Sequence, residues 1–169
     1  LVIHDDCGTN VSYVWELTPE PDAVTAAFAA AEHHITETFV HQRLIPTAME
    51  PRGVAAVPAP HNGDMTLYSS TQIPHVLRVM AALTVGIPEQ KLRVIAPSVG
   101  GGFGCKLNVY AEEILCIVLA QRHGVPVRWT EGRTEAAGST VHGRAQRQTI
   151  ELAADADGKL TAVRATLLA

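Results

Sequence analysis

Aromatic side chains are scarce in this chain of 169 residues, at 5% of the total, and 13 Lys and Arg stand against 17 Asp and Glu. With a net charge of −4 and no run of like charge longer than a pair, it has neither a basic stripe for a phosphate backbone nor a platform for stacked bases. Nucleic acid is not an expected partner. Long apolar runs are also missing. The longest, Ile114 to Ala120, is far too short to cross a bilayer, and no basic region leads into an apolar one at the N-terminus. The chain reads as soluble, with no membrane span. Cysteine is limited to Cys7, Cys105 and Cys116, too few and too odd in number for a disulfide framework, and no C-x-x-C offers a zinc or iron–sulfur site. That usage fits a reducing cytoplasm. A hydrophobic content of 47% is nevertheless enough for the core of one ordinary domain. The chain lacks an initiator Met and both ends look strand-like, so a fragment is expected.

Glycine is concentrated in one place, within Val94-Ile-Ala-Pro-Ser-Val-Gly-Gly-Gly-Phe-Gly-Cys-Lys106. The β-branched run Leu92 to Ile95 predicts a strand that Pro97 ends, and Gly100, Gly101, Gly102 and Gly104 follow. So many glycines cost conformational entropy unless a turn or a ligand requires them. A helix is expected at once afterwards, over 110–123, with Ile114, Ile117, Val118 and Gln121 on one face. Strand, glycine loop and helix together offer free N–H groups and a positive helix end to an anion. The dinucleotide fingerprint fails, because Cys105 or Leu107 stands where its third glycine belongs, and a P-loop fails because Leu107 follows Lys106. On these residues alone, a tight structural turn and a ligand site both stand.

Three motifs in order bear on that choice: Ser70-Thr71-Gln72-Ile73-Pro74-His75, the span Val99 to Lys106, and Trp129-Thr-Glu-Gly-Arg133 with His142-Gly-Arg144. Together they resemble the molybdenum-binding large subunit of the xanthine dehydrogenase, aldehyde oxidase and aerobic carbon monoxide dehydrogenase family, from about Thr36 to the end. The resemblance implies a molybdenum-pterin cofactor, with the cytosine dinucleotide as one candidate form. It places Gln72 and Phe103 at the metal, Gln72 bonding to an oxygen of the centre and Phe103 forming a wall. It also implies that the N–H groups of Gly101, Gly102, Phe103 and Gly104 cradle the cofactor. Partners implied are a small-molecule substrate, iron–sulfur (2Fe-2S) and flavin (FAD) subunits or domains, the remainder of the large subunit, and an oligomer. The family's glutamate base belongs to regions beyond Ala169, so no catalytic residue is expected here and the fragment alone is expected to be inactive. Purine-oxidising members carry an acidic residue where this chain has Leu107, and Cys105 departs from the usual Gly or Asn. Leu107 is therefore a substrate-side candidate, and an aldehyde- or carbon monoxide-type enzyme is favoured over a xanthine-oxidising one. The alternative is a non-catalytic α+β binding or assembly module whose glycine loop binds phosphate or simply turns.

The expected fold class is α+β, with mixed sheets, hairpins and β-α-β units, as part of a molybdopterin-binding domain. Residues 1–34 are expected to be an N-terminal segment or linker and 35–169 a partial cofactor-binding domain. Asp22 to Glu32 reads as a short helix or a mobile linker, and Ile35 to Gln42 as a half-buried strand. His33, His34 and His41 lack partners at metal-ligand spacing and read as surface or strand residues. Glu50, in a P-x-x-M-E-P turn, reads as structural. Asn62-Gly63 between apolar runs predicts a hairpin whose second strand delivers Gln72 to a helix start at Pro74. That helix, over 75–85, offers Val76, Val79, Met80 and Leu83 as its packing face, so two positive helix ends are expected near one ligand. Beyond it, 125–130 reads as a strand, Glu131 to Thr140 as a short helix or loop with Arg133 and Glu135 as a surface pair, and His142-Gly-Arg144 as an anion contact or a strand start. Two further strands flank a turn at Asp155-Ala-Asp-Gly158.

Overall fold

Apolar alternation in Gly53–Ala59 (β2) and Asp64–Ser69 (β3) makes an antiparallel hairpin across Asn62-Gly63, as expected, with Val54 facing Ser69 and Ala56 facing Leu67. The turn is held locally: Asn62 Oδ1 accepts from the Asp64 N–H at 3.0 Å. The computed structural model describes residues 1–169 and divides into two units, Leu1–Val40 with Gln146–Ala169, and His41–Ala145.

The second unit carries a four-stranded sheet in the order β4-β3-β2-β5, where β4 is Leu92–Ile95 and β5 is Val127–Thr130. β3 and β4 pair parallel through the helix Pro74–Val85 (α2), which is the expected crossover unit. β5 joins the far edge, antiparallel to β2, after the helix Ala111–His123 (α3). Val54, Ala56, Met65, Leu67 and Leu92 meet Leu77, Ala81, Cys116, Ile117 and Ala120 in one core.

α2 is rotated from its expected face, whereas α3 meets the expectation at Ile117, which is buried, and at Ile114, which packs against the core, but not at Val118 and Gln121. α2 buries Leu77, Ala81 and Ala82, while Val76, Val79, Met80 and Leu83 are exposed; α3 buries Cys116, Ile117 and Ala120, while Gln121 is exposed and Val118 is turned outward. Small side chains bring a helix axis close to the sheet, and dense packing rewards that approach. The larger apolar residues therefore form a second, outward face. The stretch read as helix or loop after β5 is a short helix, Arg133–Ser139 (α4). Arg133 and Glu135 are not a surface pair. The Arg133 guanidinium donates to the carbonyls of Ala48 and Met49 at 2.7 and 2.9 Å, and Glu135 accepts from the Gly132 N–H at the start of α4.

The first unit holds the helix Pro21–Ala30 (α1) and most of a three-stranded sheet in the order β1-β6-β7, from His33–Leu44 (β1), Gly143–Ala154 (β6) and Leu160–Leu168 (β7). The helical alternative for 22–32 is the one realised, and β6 and β7 pair antiparallel around the turn at Asp155–Gly158. β1 forms where expected, but it is not half-buried: all twelve of its residues are exposed. Leu1-Val-Ile lies outside any strand; a 3-10 turn at Asp5–Cys7 follows it instead.

Candidate functional site

The segment that leaves β3 is clamped before it reaches Gln72. Ser70 exchanges two bonds with Gly53, its N–H donating to the Gly53 carbonyl at 3.0 Å and its Oγ accepting from the Gly53 N–H at 2.8 Å. Thr71 is buried, and its Oγ accepts from the Ile73 N–H at 3.2 Å. Gln72 then pairs with the far end of the glycine loop. Its N–H donates to the Lys106 carbonyl at 2.9 Å, and its side-chain Oε1 accepts from the N–H groups of Gly104 at 3.1 Å and Lys106 at 3.3 Å. The acceptor half of the amide is thus occupied, and the Nε2 half is left as a donor on an exposed side chain.

Gly102 lies against the same side chain: a Cβ there would sit 2.3 Å from Gln72 Oε1, so the close approach requires glycine. Phe103, next along, holds φ at 52° and is 74% exposed. A bulky residue at positive φ is strained by roughly 1–3 kcal/mol, and such outliers cluster at functional positions. Gln72 and Phe103 are therefore brought together, Gln72 touching the residues on either side of Phe103.

Two expectations about this loop are corrected. Its N–H groups are not all free, since Gly104 donates to Gln72 and Gly100 to Glu50 at 2.7 Å. The expected helix forms within one residue of its expected bounds, as Ala111–His123, after turns bonded from Cys105 N–H to Gly102 carbonyl and from Leu107 N–H to Gly104 carbonyl. The N-terminus of α3 is moreover filled from within, the Glu113 carboxylate accepting from the Tyr110 N–H at 2.9 Å and from Ser69 Oγ at 2.6 Å. Burial pushes the Glu113 carboxyl up, and those bonds offset it only in part. Convergence of two free helix ends on one anion is therefore not what the loop provides. Leu107 is half-exposed, and Cys105 is buried, its Sγ 3.8 Å from the Pro46 carbonyl.

Behind the loop lies a polar lock that sequence reasoning missed. Arg52 precedes β2 and Glu131 follows β5, and the register that sets Gly53 opposite Thr130 brings them face to face. Arg52 Nε and Nη2 bond to Glu131 Oε1 at 2.9 and 2.7 Å, and Nη1 reaches Glu112 at 3.2 Å. Its guanidinium also lies 3.7 Å over the Tyr110 ring. Burial would raise the Glu131 carboxyl, but bonds from Arg52 outweigh it and hold it below the ordinary value. At Glu50, likewise, burial is outweighed by the Gly100 N–H and Lys106 ammonium, and the carboxyl is held down. A cavity of about 70 Å³ beside this lock is lined by Pro46, Ala48, Cys105, Arg133 and Ala137 among others, but by neither Gln72 nor Phe103. No cluster of His, Cys, Asp or Glu is arranged to hold a metal, and His142 only meets the Ala137 carbonyl at 3.2 Å, ahead of β6.

A family model for the molybdopterin cofactor-binding domain matches residues 3–169. The chain belongs to that family. The carbon monoxide dehydrogenase large chain of Afipia carboxidovorans is 38% identical over 160 residues, covering 95% of this chain and 20% of that protein. The nicotine 6-hydroxylase large subunit of Paenarthrobacter nicotinovorans is 36% identical over 141 residues, 83% of this chain and 17% of that one. Among solved structures, CO dehydrogenase from Oligotropha carboxidovorans superposes with a TM-score of 0.83 at 38% identity, covering 88% of this chain and 18% of that one. The molybdopterin cofactor-binding domain thus accounts for the mixed α+β fold, and this chain spans about a fifth of the length of such relatives. The alternative of an unrelated binding or assembly module finds no support among them. No helix is long and apolar enough to cross a membrane.

Proposed function

We infer that these residues form part of the large subunit of a molybdenum hydroxylase of aldehyde or carbon monoxide type, with the glycine loop and Gln72 against its molybdenum-pterin cofactor. The observation that carries this is the fixed amide of Gln72: its oxygen is held by two main-chain N–H groups, so its Nε2 is presented as a donor beside a strained, exposed Phe103. An oxygen-bearing anionic group fits that arrangement, because it needs donors and a surface free of Cβ atoms. Gly104, at φ 97° with nothing within 4 Å of where a Cβ would stand, supplies the second, while the corresponding space at Gly102 and Gly101 is taken by the Gln72 amide and the Phe103 ring.

When bound, the cofactor supplies the oxidation, using oxygen derived from water and passing electrons to iron–sulfur and flavin partners. The chain's own residues bind and orient. Gln72 donates from Nε2 without titrating, Gly101 and Gly102 make room for the Phe103 ring and the Gln72 amide at the cofactor's edge, Gly104 lets the backbone approach, and Phe103 excludes water from one side. Leu107 offers no acidic group to a purine ring. The nicotine 6-hydroxylase relative, which by its name acts on a heterocycle, limits that selection to purine-like recognition rather than to all rings. A reducing cytoplasm, the cytosine dinucleotide form and assembly with separate iron–sulfur and flavin subunits belong to the same reading.

Gln72→Ala in the full-length protein tests it. Loss of one positioned donor is expected to lower kcat by about a hundredfold or more while molybdenum and pterin content stay near wild type. Unchanged turnover would remove Gln72 from the site.

A further inference from the structure

We propose that Glu50 is a positioning residue for the glycine loop, closing it through Gly100 and Lys106 and so setting where Gln72 and Phe103 stand. Its expected effect on turnover rests on the molybdenum-site reading; its geometry does not. One carboxylate oxygen, Glu50 Oε2, accepts from the Gly100 N–H at 2.7 Å and from Lys106 Nζ at 3.0 Å. The Glu50 N–H donates in turn to the Gly100 carbonyl at 3.1 Å, so backbone and side chain grip the first glycine together. The fit is close, since a Cβ at Gly100 would lie 2.6 Å from Glu50 Cβ.

Lys106 stands at the other end of the loop and is 1% exposed. A cation so buried is kept in place by its pairing, and here Glu50 is the paired carboxylate. The main chain of Lys106 bonds to Gln72 in both directions. Glu50 therefore joins position 100 to position 106, and Lys106 carries that constraint to the amide of Gln72. Pro46 and Pro51 fix the path that delivers Glu50, and Arg133 secures the same turn by its bonds to the carbonyls of Ala48 and Met49. Every contact in this set lies within the unit His41–Ala145. Glu50 acts through Gly100 and Lys106, which is why the role is positional.

Glu50→Ala and Glu50→Gln, made in the full-length large subunit assembled with its partners, test the proposal. Amide hydrogen exchange over residues 99–107 and 70–75 is compared with exchange over β2 and β3. In Glu50→Ala the two loop segments are expected to exchange about tenfold faster or more with the strands unchanged, and Glu50→Gln, which keeps the acceptor but not the charge, falls between. Misplacing the loop is expected to lower kcat by about tenfold to a hundredfold with KM near wild type, and to alter the Mo(V) electron paramagnetic resonance spectrum at wild-type molybdenum content. If Glu50→Ala does not accumulate, Glu50→Gln is read by the same criteria. Unchanged loop exchange overturns the proposal. So does a rise shared equally by the strands, faster loop exchange with kcat and spectrum unaltered, or failure of both variants to fold. A wild-type protein without molybdenum would sink the proposed function instead, and would leave the exchange comparison standing.

Discussion

Gln72 shows how a side chain with two chemistries is reduced to one. Free glutamine donates and accepts, but here the carbonyl oxygen is committed to Gly104 and Lys106, so the exposed surface meets only an N–H donor. Gly102 is the companion of that arrangement. In Gly102→Ala the new Cβ would collide with the flexible end of Gln72 rather than with backbone, so the fold is expected to persist while Gln72 swings away. Circular dichroism and thermal unfolding near wild type, with kcat reduced by about tenfold or more, is the expected pairing; wild-type turnover would contradict it. Gln72 and Phe103 could be singled out from the sequence through the family resemblance, because the motifs that carry it are local. The Glu50–Lys106 and Arg52–Glu131 pairs were not, since 56 and 79 residues separate the partners and no local rule connects them.

The secondary-structure elements follow the same division. Asn62-Gly63 specifies its hairpin because the turn geometry and its bonds lie within a few residues. α2 and α3 could be placed from periodicity, but each has apolar residues on more than one side, and periodicity does not say which side meets the sheet. Leu77 and Leu83 test the answer directly. Leu77→Ala, at a fully buried position, is expected to cost about 2–5 kcal/mol in chemical unfolding. Leu83→Ala, at a position 75% exposed, is expected to stay within about 0.5 kcal/mol of wild type. The reverse order would put the sheet on the face that the pattern of Val76, Val79, Met80 and Leu83 suggests. The glycine loop is a third case. Its glycine content marks it as unusual, but the turns between Gly102 and Leu107 and the self-filled start of α3 depend on contacts that close only in the folded chain.

For the molecule as a whole, the outward apolar residues carry the consequence. Val79, Met80 and Leu83 on α2 and Leu115, Val118 and Leu119 on α3 are exposed, and so is every residue of β1. An isolated 169-residue chain is expected to bind a hydrophobic dye and to self-associate in gel filtration, and Leu83→Glu with Leu115→Glu is expected to reduce both. It is also expected to show no turnover of aldehyde, purine or CO, since the glutamate at its glycine loop, Glu50, is committed to the Gly100 N–H and the Lys106 ammonium. Measurable turnover would contradict that. Composition, the hairpin signal and the resemblance carried by three ordered motifs were enough to point to the family, the fold class and the glycine loop, because each is written in neighbouring residues. Which helix faces are buried, which half of the Gln72 amide stays free and which carboxylate holds Lys106 depended on folding. Those are outcomes of distant segments competing for the same space and the same hydrogen bonds.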